Sequence, residues 1–176
     1  MTNSFDSISQ QSDAIRTGKT CPSELVGKCR SFIEAREPRL GAFQEVFIDD
    51  ALKAADAADR SIDSGHRIGP FHGIPFALKD IIEVEGKITT AGSMLRRNHV
   101  SSATAVIASR LISSGGILVG KTKTVEFAFG GWGTNEHMGT PWNPWDPTQH
   151  RAPGGSSSGS AVAVSAGLAG CAIGTD

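Results

Sequence analysis

Three stretches of this 176-residue chain carry residue types that could do chemistry. One is Lys79, set in the apolar run Phe76-Ala-Leu-Lys-Asp-Ile-Ile82. A lysine acts as a base only when neutral, which requires burial away from water and a lowered pKa. This run is apolar enough to supply that burial. The plainer reading is an ordinary lysine at a strand end, with Asp80 in a structural role. A second stretch is Ala152-Pro-Gly-Gly-Ser-Ser-Ser-Gly-Ser-Ala161, followed by Val162 to Gly167 and then Gly174-Thr-Asp176. It reads as a loop opening a helix, and its serine hydroxyls either cap the orphan N–H groups of the first turn or belong to a flexible linker. A third, Gly115-x-x-x-x-Gly120-Lys121-Thr122, matches the P-loop pattern. That mechanism needs its four middle residues in a loop whose N–H groups wrap a phosphate. Here they are Gly116-Ile-Leu-Val119, which favour an extended strand, and the residues before them read as a helix. The expectation is helix, turn, strand, with a nucleotide-binding module through Gly120-Lys121-Thr122 as the alternative.

Other reactive side chains carry less. His72, His99, His137 and His150 show no metal-like spacing. Cys21, Cys29 and Cys171 are odd in number, widely spaced and without a CxxC pair, which argues against a disulfide framework or a structural zinc and fits a reducing compartment. Cys171 reads as core. Trp132, Trp142 and Trp145 read as packing around a proline-rich loop rather than lining a pocket. The formal net charge of −1 leaves no electrostatic footprint for nucleic acid or an anionic membrane surface. The first twenty residues are polar (Ser4, Asp6, Ser7, Gln10, Gln11, Asp13) and hold no signal-peptide h-region, and no apolar run reaches membrane-spanning length. The expectation is a soluble, cytoplasmic protein.

Positioning these groups falls to an alternation of helices and strands. Leu25, Cys29, Phe32 and Ile33 recur at helical spacing, with Thr20 and Pro22 as start signals and Pro38 beyond the end. Residues 42–47 suggest a short strand. Ile48, Leu52, Ala55, Ala58 and Ile62 mark one face of an amphipathic helix whose other face carries Asp49, Asp50, Lys53, Asp56 and Arg60. Residues 103–114 predict a helix with Ala103, Ile107 and Leu111 in line, residues 116–119 a buried strand, residues 157–167 a helix and residues 169–174 another strand. Residues 130–155, with Pro141, Pro144, Pro147 and Pro153, read as loop. Glycine, 21 of 176 residues or about 12% against a typical ~7%, is concentrated after residue 115, where backbones must turn tightly or approach closely. The pattern predicts an α/β fold with a sheet covered on both faces, residues 1–68 forming a helical N-terminal region that packs on a core of residues 69–176.

Taken together, the motifs resemble those of the amidase signature family. Its hallmark is a GGSSxGSA stretch, then a GTD or GSD turn leading into TGGSIR, with a lysine upstream in a KD context. This chain has Gly154-Gly155-Ser156-Ser157-Ser158-Gly159-Ser160-Ala161, then Gly174-Thr175-Asp176, with Leu78-Lys79-Asp80 upstream. Supporting matches are Gly73-Ile-Pro75, Thr89-Thr-Ala-Gly-Ser93, Gly120-Lys-Thr122, Glu126-Phe127 and Gly139-Thr-Pro-Trp-Asn-Pro144, in the family's order. Ser158 stands where the family usually has glycine, a small-for-small difference.

The resemblance implies an α/β/α sandwich with a central mixed sheet, present here in part. It implies a carboxamide hydrolase that forms an acyl-enzyme through a Ser–Ser–Lys triad, without metal or organic cofactor. By position Lys79 matches the family's base and Ser156 its bridging serine, held by a cis peptide bond; Gly154, Gly155, Ser157, Thr175 and Asp176 form the supporting loops. The nucleophile, and the backbone N–H groups of the oxyanion hole, are expected in a TGGS turn whose serine stands four residues beyond Asp176. These 176 residues alone are therefore expected to be inactive, with an incomplete sheet and exposed apolar surface. The implied partner is a small-molecule amide, with no direct nucleic-acid or membrane partner and a homodimer possible for the longer enzyme. Within the family the alternative is the glutamine-hydrolysing component of a tRNA-dependent amidotransferase.

Overall fold

A computed structural model describes residues 6–176; Ser4 lies outside them. Helix α1 (Ile8–Arg16) begins at a capping box in which Ser7 and Gln10 satisfy each other's backbone N–H. Helix α2 (Pro22–Leu40) starts with proline at its first position, where no N–H is needed. Glu24 accepts from the Cys21 N–H (3.3 Å) and the Thr20 hydroxyl (2.8 Å), so both expected start signals act at this end. The other end departs from expectation, because Pro38 lies inside the helix rather than beyond it. Its ring forfeits one hydrogen bond near the end of α2, which then closes with the Gly41 N–H on Glu37 O.

Strand β1 (Phe43–Val46) leads into α3 (Ile48–Asp63), whose buried Ala51, Ala55 and Ala58 turn inward while Asp49, Asp50, Lys53, Asp56 and Arg60 stay exposed. Strand β2 (Pro75–Lys79) is buried at all five positions. Helix α4 (Val106–Ser113) connects it to β3 (Ile117–Thr122), and α5 (Ser158–Ser165) precedes β4 (Cys171–Ile173). The expected line of Ala103, Ile107 and Leu111 is out of phase. Ala108 is the residue of α4 that is fully buried, while Val106, Ile107 and Ile112 remain exposed. A methyl group at 108 lets this short helix lie close on the sheet where the branched side chains beside it would not fit.

The sheet is mixed, in the order β1-β3-β2-β4, with β1 antiparallel to β3 and β2 parallel to both β3 and β4. One face carries Ala77, Ile117, Val119 and Ala172, covered by α2, α3 and α5 through Val26, Cys29, Ile33, Ala55, Val162 and Ala166. The other carries Phe76, Leu78, Leu118 and Ile173, covered by Ala108 and Leu111 of α4 with Ile82 and Val84. Residues 6–68 thus supply both one edge strand and part of the core shared with the rest. No helix among the described residues is long and apolar enough to cross a membrane.

One irregularity decides side-chain placement. Phe76 pairs with Leu118 but Ala77 pairs with Gly120, so Val119 is an extra residue in β3. Beyond this bulge Leu78 pairs with Lys121 and Lys79 with Thr122. A regular register would set Lys79 beside Lys121 on one face; the bulge sends them to opposite faces. Gly120 fits the bulge because β1 crosses close by: a Cβ there would lie 2.6 Å from Glu45 O.

Candidate active site

Lys79 ends β2 on the α5 side of the sheet and is fully buried. Its Nζ donates to Ser156 Oγ at 2.6 Å and to Thr175 Oγ1 at 2.7 Å. Burial pushes the amine below the ordinary lysine range, and the nearby Asp176 carboxylate opposes that shift in part. The structure therefore brings together the end of β2, the serine-rich loop and the turn after β4.

Ser156 is presented by a tightly packed loop. The Gly155–Ser156 peptide bond is cis. The Ser156 carbonyl accepts from the Val125 N–H (3.1 Å) and the Thr124 hydroxyl (3.0 Å). Behind it, residues 130–133 press on residues 154–155. Gly133 has φ +80°, and a Cβ on it would fall 2.2 Å from Gly154 O; a Cβ on Gly155 would fall 2.6 Å from the Gly133 N. Only glycine on both sides permits that contact. Ser157 precedes α5, donates its hydroxyl to Thr175 O and accepts from the Thr175 N–H, each at 3.1 Å. It thereby ties the turn holding Thr175 and Asp176 to the start of α5. Ser160, one turn on, joins Thr122 Oγ1 (2.7 Å) and Ile173 O (3.1 Å), fastening α5 to both flanking strands. Ser158 is buried, and its hydroxyl has no hydrogen-bond partner among the described residues.

Two supporting features were not drawn from the sequence. Asn135 is buried and donates its amide to Gly92 O (2.7 Å) and Thr124 O (3.0 Å), while Oδ1 accepts from the His137 and Met138 N–H groups. It clamps the loop that holds Thr124 against Ser156. The other is an ion pair between Asp80 Oδ1 and Lys121 Nζ at 2.9 Å, fully buried on the opposite sheet face. Strand-forming residues around Lys121 hinted at its burial, but its partner was not legible. This placement also resolves the Gly120-Lys121-Thr122 motif: it lies within β3, not in a loop, and Lys121 is bound to Asp80 and to Thr89 Oγ1 (2.8 Å). Trp142 is packed as expected, stacked on His150 at 4.5 Å, whereas Trp132 and Trp145 are largely exposed.

Known proteins resemble this chain along most of its length. It is 41% identical over 170 residues to 2-amino-5-chloromuconic acid deaminase of Comamonas testosteroni, covering 97% of this chain and 37% of that protein. It is 43% identical over 163 residues to the A subunit of glutamyl-tRNA(Gln) amidotransferase from Chloroflexus aurantiacus, covering 93% and 33%. The fold superposes on the native peptide amidase from Stenotrophomonas maltophilia with a TM-score of 0.85 at 33% identity, over 96% of this chain and 35% of that one. The chain thus spans about a third of the length of these relatives. The pattern that defines the Amidase family matches residues 24–176, and the chain belongs to that family.

Proposed function

We propose that this chain supplies the base and the bridging serine of a carboxamide-hydrolysing site in a longer cytoplasmic amidase. The observation that carries the reading is the 2.6 Å contact between a fully buried Lys79 amine and Ser156 Oγ. An amide is a poor electrophile, so its hydrolysis needs an activated nucleophile, a stabilised oxyanion and a proton for the leaving nitrogen. In the proposed route a serine hydroxyl, four residues beyond Asp176, attacks the carbonyl carbon. Its proton passes to Ser156 Oγ as Ser156 passes its own to the neutral Lys79 amine. The protonated Lys79 then returns a proton through Ser156 to the departing nitrogen, leaving an acyl-enzyme that water cleaves. Ser156 suits the relay because a hydroxyl donates and accepts at once. Lys79 suits the base because burial favours its neutral form, and Thr175 Oγ1, accepting from the same nitrogen, holds it beside Ser156. Gly154, Gly155, Ser157, Thr175 and Asp176 serve as the supporting loops.

The test is amide hydrolysis by the longer protein and by its Lys79→Ala and Ser156→Ala variants. Rates unchanged in both would sink the assignment. The similarity to the amidotransferase component supports a second reading, in which the amide is glutamine and partner subunits receive the ammonia. Glutamine hydrolysis that depends on added partner subunits and charged tRNA would favour it over a free-standing amidase.

A further inference from the structure

The buried ion pair between Asp80 and Lys121 is not used by the proposed route, yet it begins one residue from the base. Asp80 is fixed at every polar group. Its N–H donates to Thr122 O, its carbonyl accepts from the Ala91 N–H, and Oδ2 takes both the N–H and the hydroxyl of Thr90. Oδ1 faces Lys121 Nζ at 2.9 Å, and that amine also donates to Thr89 Oγ1, which accepts from Ser101 Oγ (2.9 Å). Both charges are sealed from water, and a buried pair is costly relative to apolar side chains of the same volume. A merely stabilising role is thus a poor account of it.

Its position offers a better one. The bulge at Val119 places Lys121 on the face away from Lys79 and beside Leu78, where it meets Asp80. The charged neighbours of Lys79 are few. The turn after β4 brings Asp176, α5 and its leading loop bring only hydroxyls, and β3 brings Thr122; beyond β3, Lys123 is set against Glu37. A buried carboxylate at 80 without its countercharge would act on Lys79 through a low-dielectric sheet and favour the ammonium form. We propose that Lys121 is a positioning residue for Lys79: it cancels the Asp80 charge on the far face and pins the end of β2, so that the amine can serve as a neutral base.

This inference rests on the reading of Lys79 as that base. It is tested by NMR titration of the ¹⁵N-labelled lysine amines in the full chain, the Lys79 signal being assigned by its loss in Lys79→Met. In the unaltered chain the Lys79 midpoint lies below the ordinary lysine value. In Lys121→Met it rises by about one unit, and in Asp80→Asn/Lys121→Met, where both charges are gone, it returns to the unaltered value. Should Lys121→Met fail to fold, Lys121→Gln keeps a donor for Asp80 without the charge and gives the same rise. An ordinary midpoint in the unaltered chain overturns the base assignment itself. A lowered midpoint that ignores Lys121→Met or Lys121→Gln, with the fold intact by circular dichroism, overturns the positioning role alone.

Discussion

Lys79 and Ser156, 77 positions apart in the chain, meet with Nζ 2.6 Å from Oγ where the amine is fully buried. The contact is set from two directions. Pairing of β2 with β3 and β4 fixes where the lysine leaves the sheet, and the Thr124 and Val125 donors on the Ser156 carbonyl fix where the serine arrives.

In the longer protein, Lys79→Ala and Ser156→Ala are each expected to lower kcat/KM for a simple amide by about 10²–10⁴-fold, the usual contribution of a positioned proton-transfer group. Because the two act as one relay, the double variant should lose little more than either single change. Steady-state rates of the three variants decide this, and fully additive losses would argue against a shared relay. These 176 residues alone, without the proposed nucleophile, are expected to give no turnover.

The pH dependence follows from Lys79. Its folded pKa is lowered by burial, so the neutral form gains at pH values below the ordinary lysine value of about 10.4. The rate should therefore climb with pH and level off before that value. A limb that rises only near the ordinary value would mean that the base is not a buried lysine.

His72 is buried against Gly115, its Nδ1 accepts from the Ile68 N–H, and burial followed by the Arg67 charge holds the imidazole below the ordinary histidine range. A folded pKa below the unfolded value of about 6.5 means that unfolding takes up a proton between the two. This part of the stability is full above about pH 6.5 and is lost as pH falls below it. Urea midpoints at about pH 7.5 and pH 5.5, on either side of that value, should show the drop, and His72→Gln should lessen it.

Gly133→Ala places a Cβ 2.2 Å from Gly154 O at a φ of +80°. Both the clash and the backbone cost act on the loop that presents Ser156, and a loss of about 1–3 kcal/mol is expected. Denaturant unfolding measures the loss, and a change within about 0.5 kcal/mol would show that the loops are not in contact.

Lys121→Met leaves the Asp80 carboxylate buried without its partner and is expected to cost about 3–5 kcal/mol. Adding Asp80→Asn should recover most of it. ATP should show no saturable binding to the chain, since Lys121 is enclosed within β3 rather than offered by a loop.

By itself the sequence determined the kinds of element and the residues worth suspecting. Alternation and periodicity carry that information locally, which is why α3, β3 and α5 lie close to where their patterns put them, and why the run around Lys79 announced its burial. The end of α2 and the phase of α4 escaped, because tertiary packing carried the helix past Pro38 and chose Ala108 over Ile107. Tertiary structure alone decided the meeting of Lys79, Ser156 and Thr175, and the separation of Lys79 from Lys121. A single extra residue at Val119 inverts the face of everything after it in the strand. That register belongs to the pairing of two strands some forty residues apart, so no local pattern in either strand encodes it.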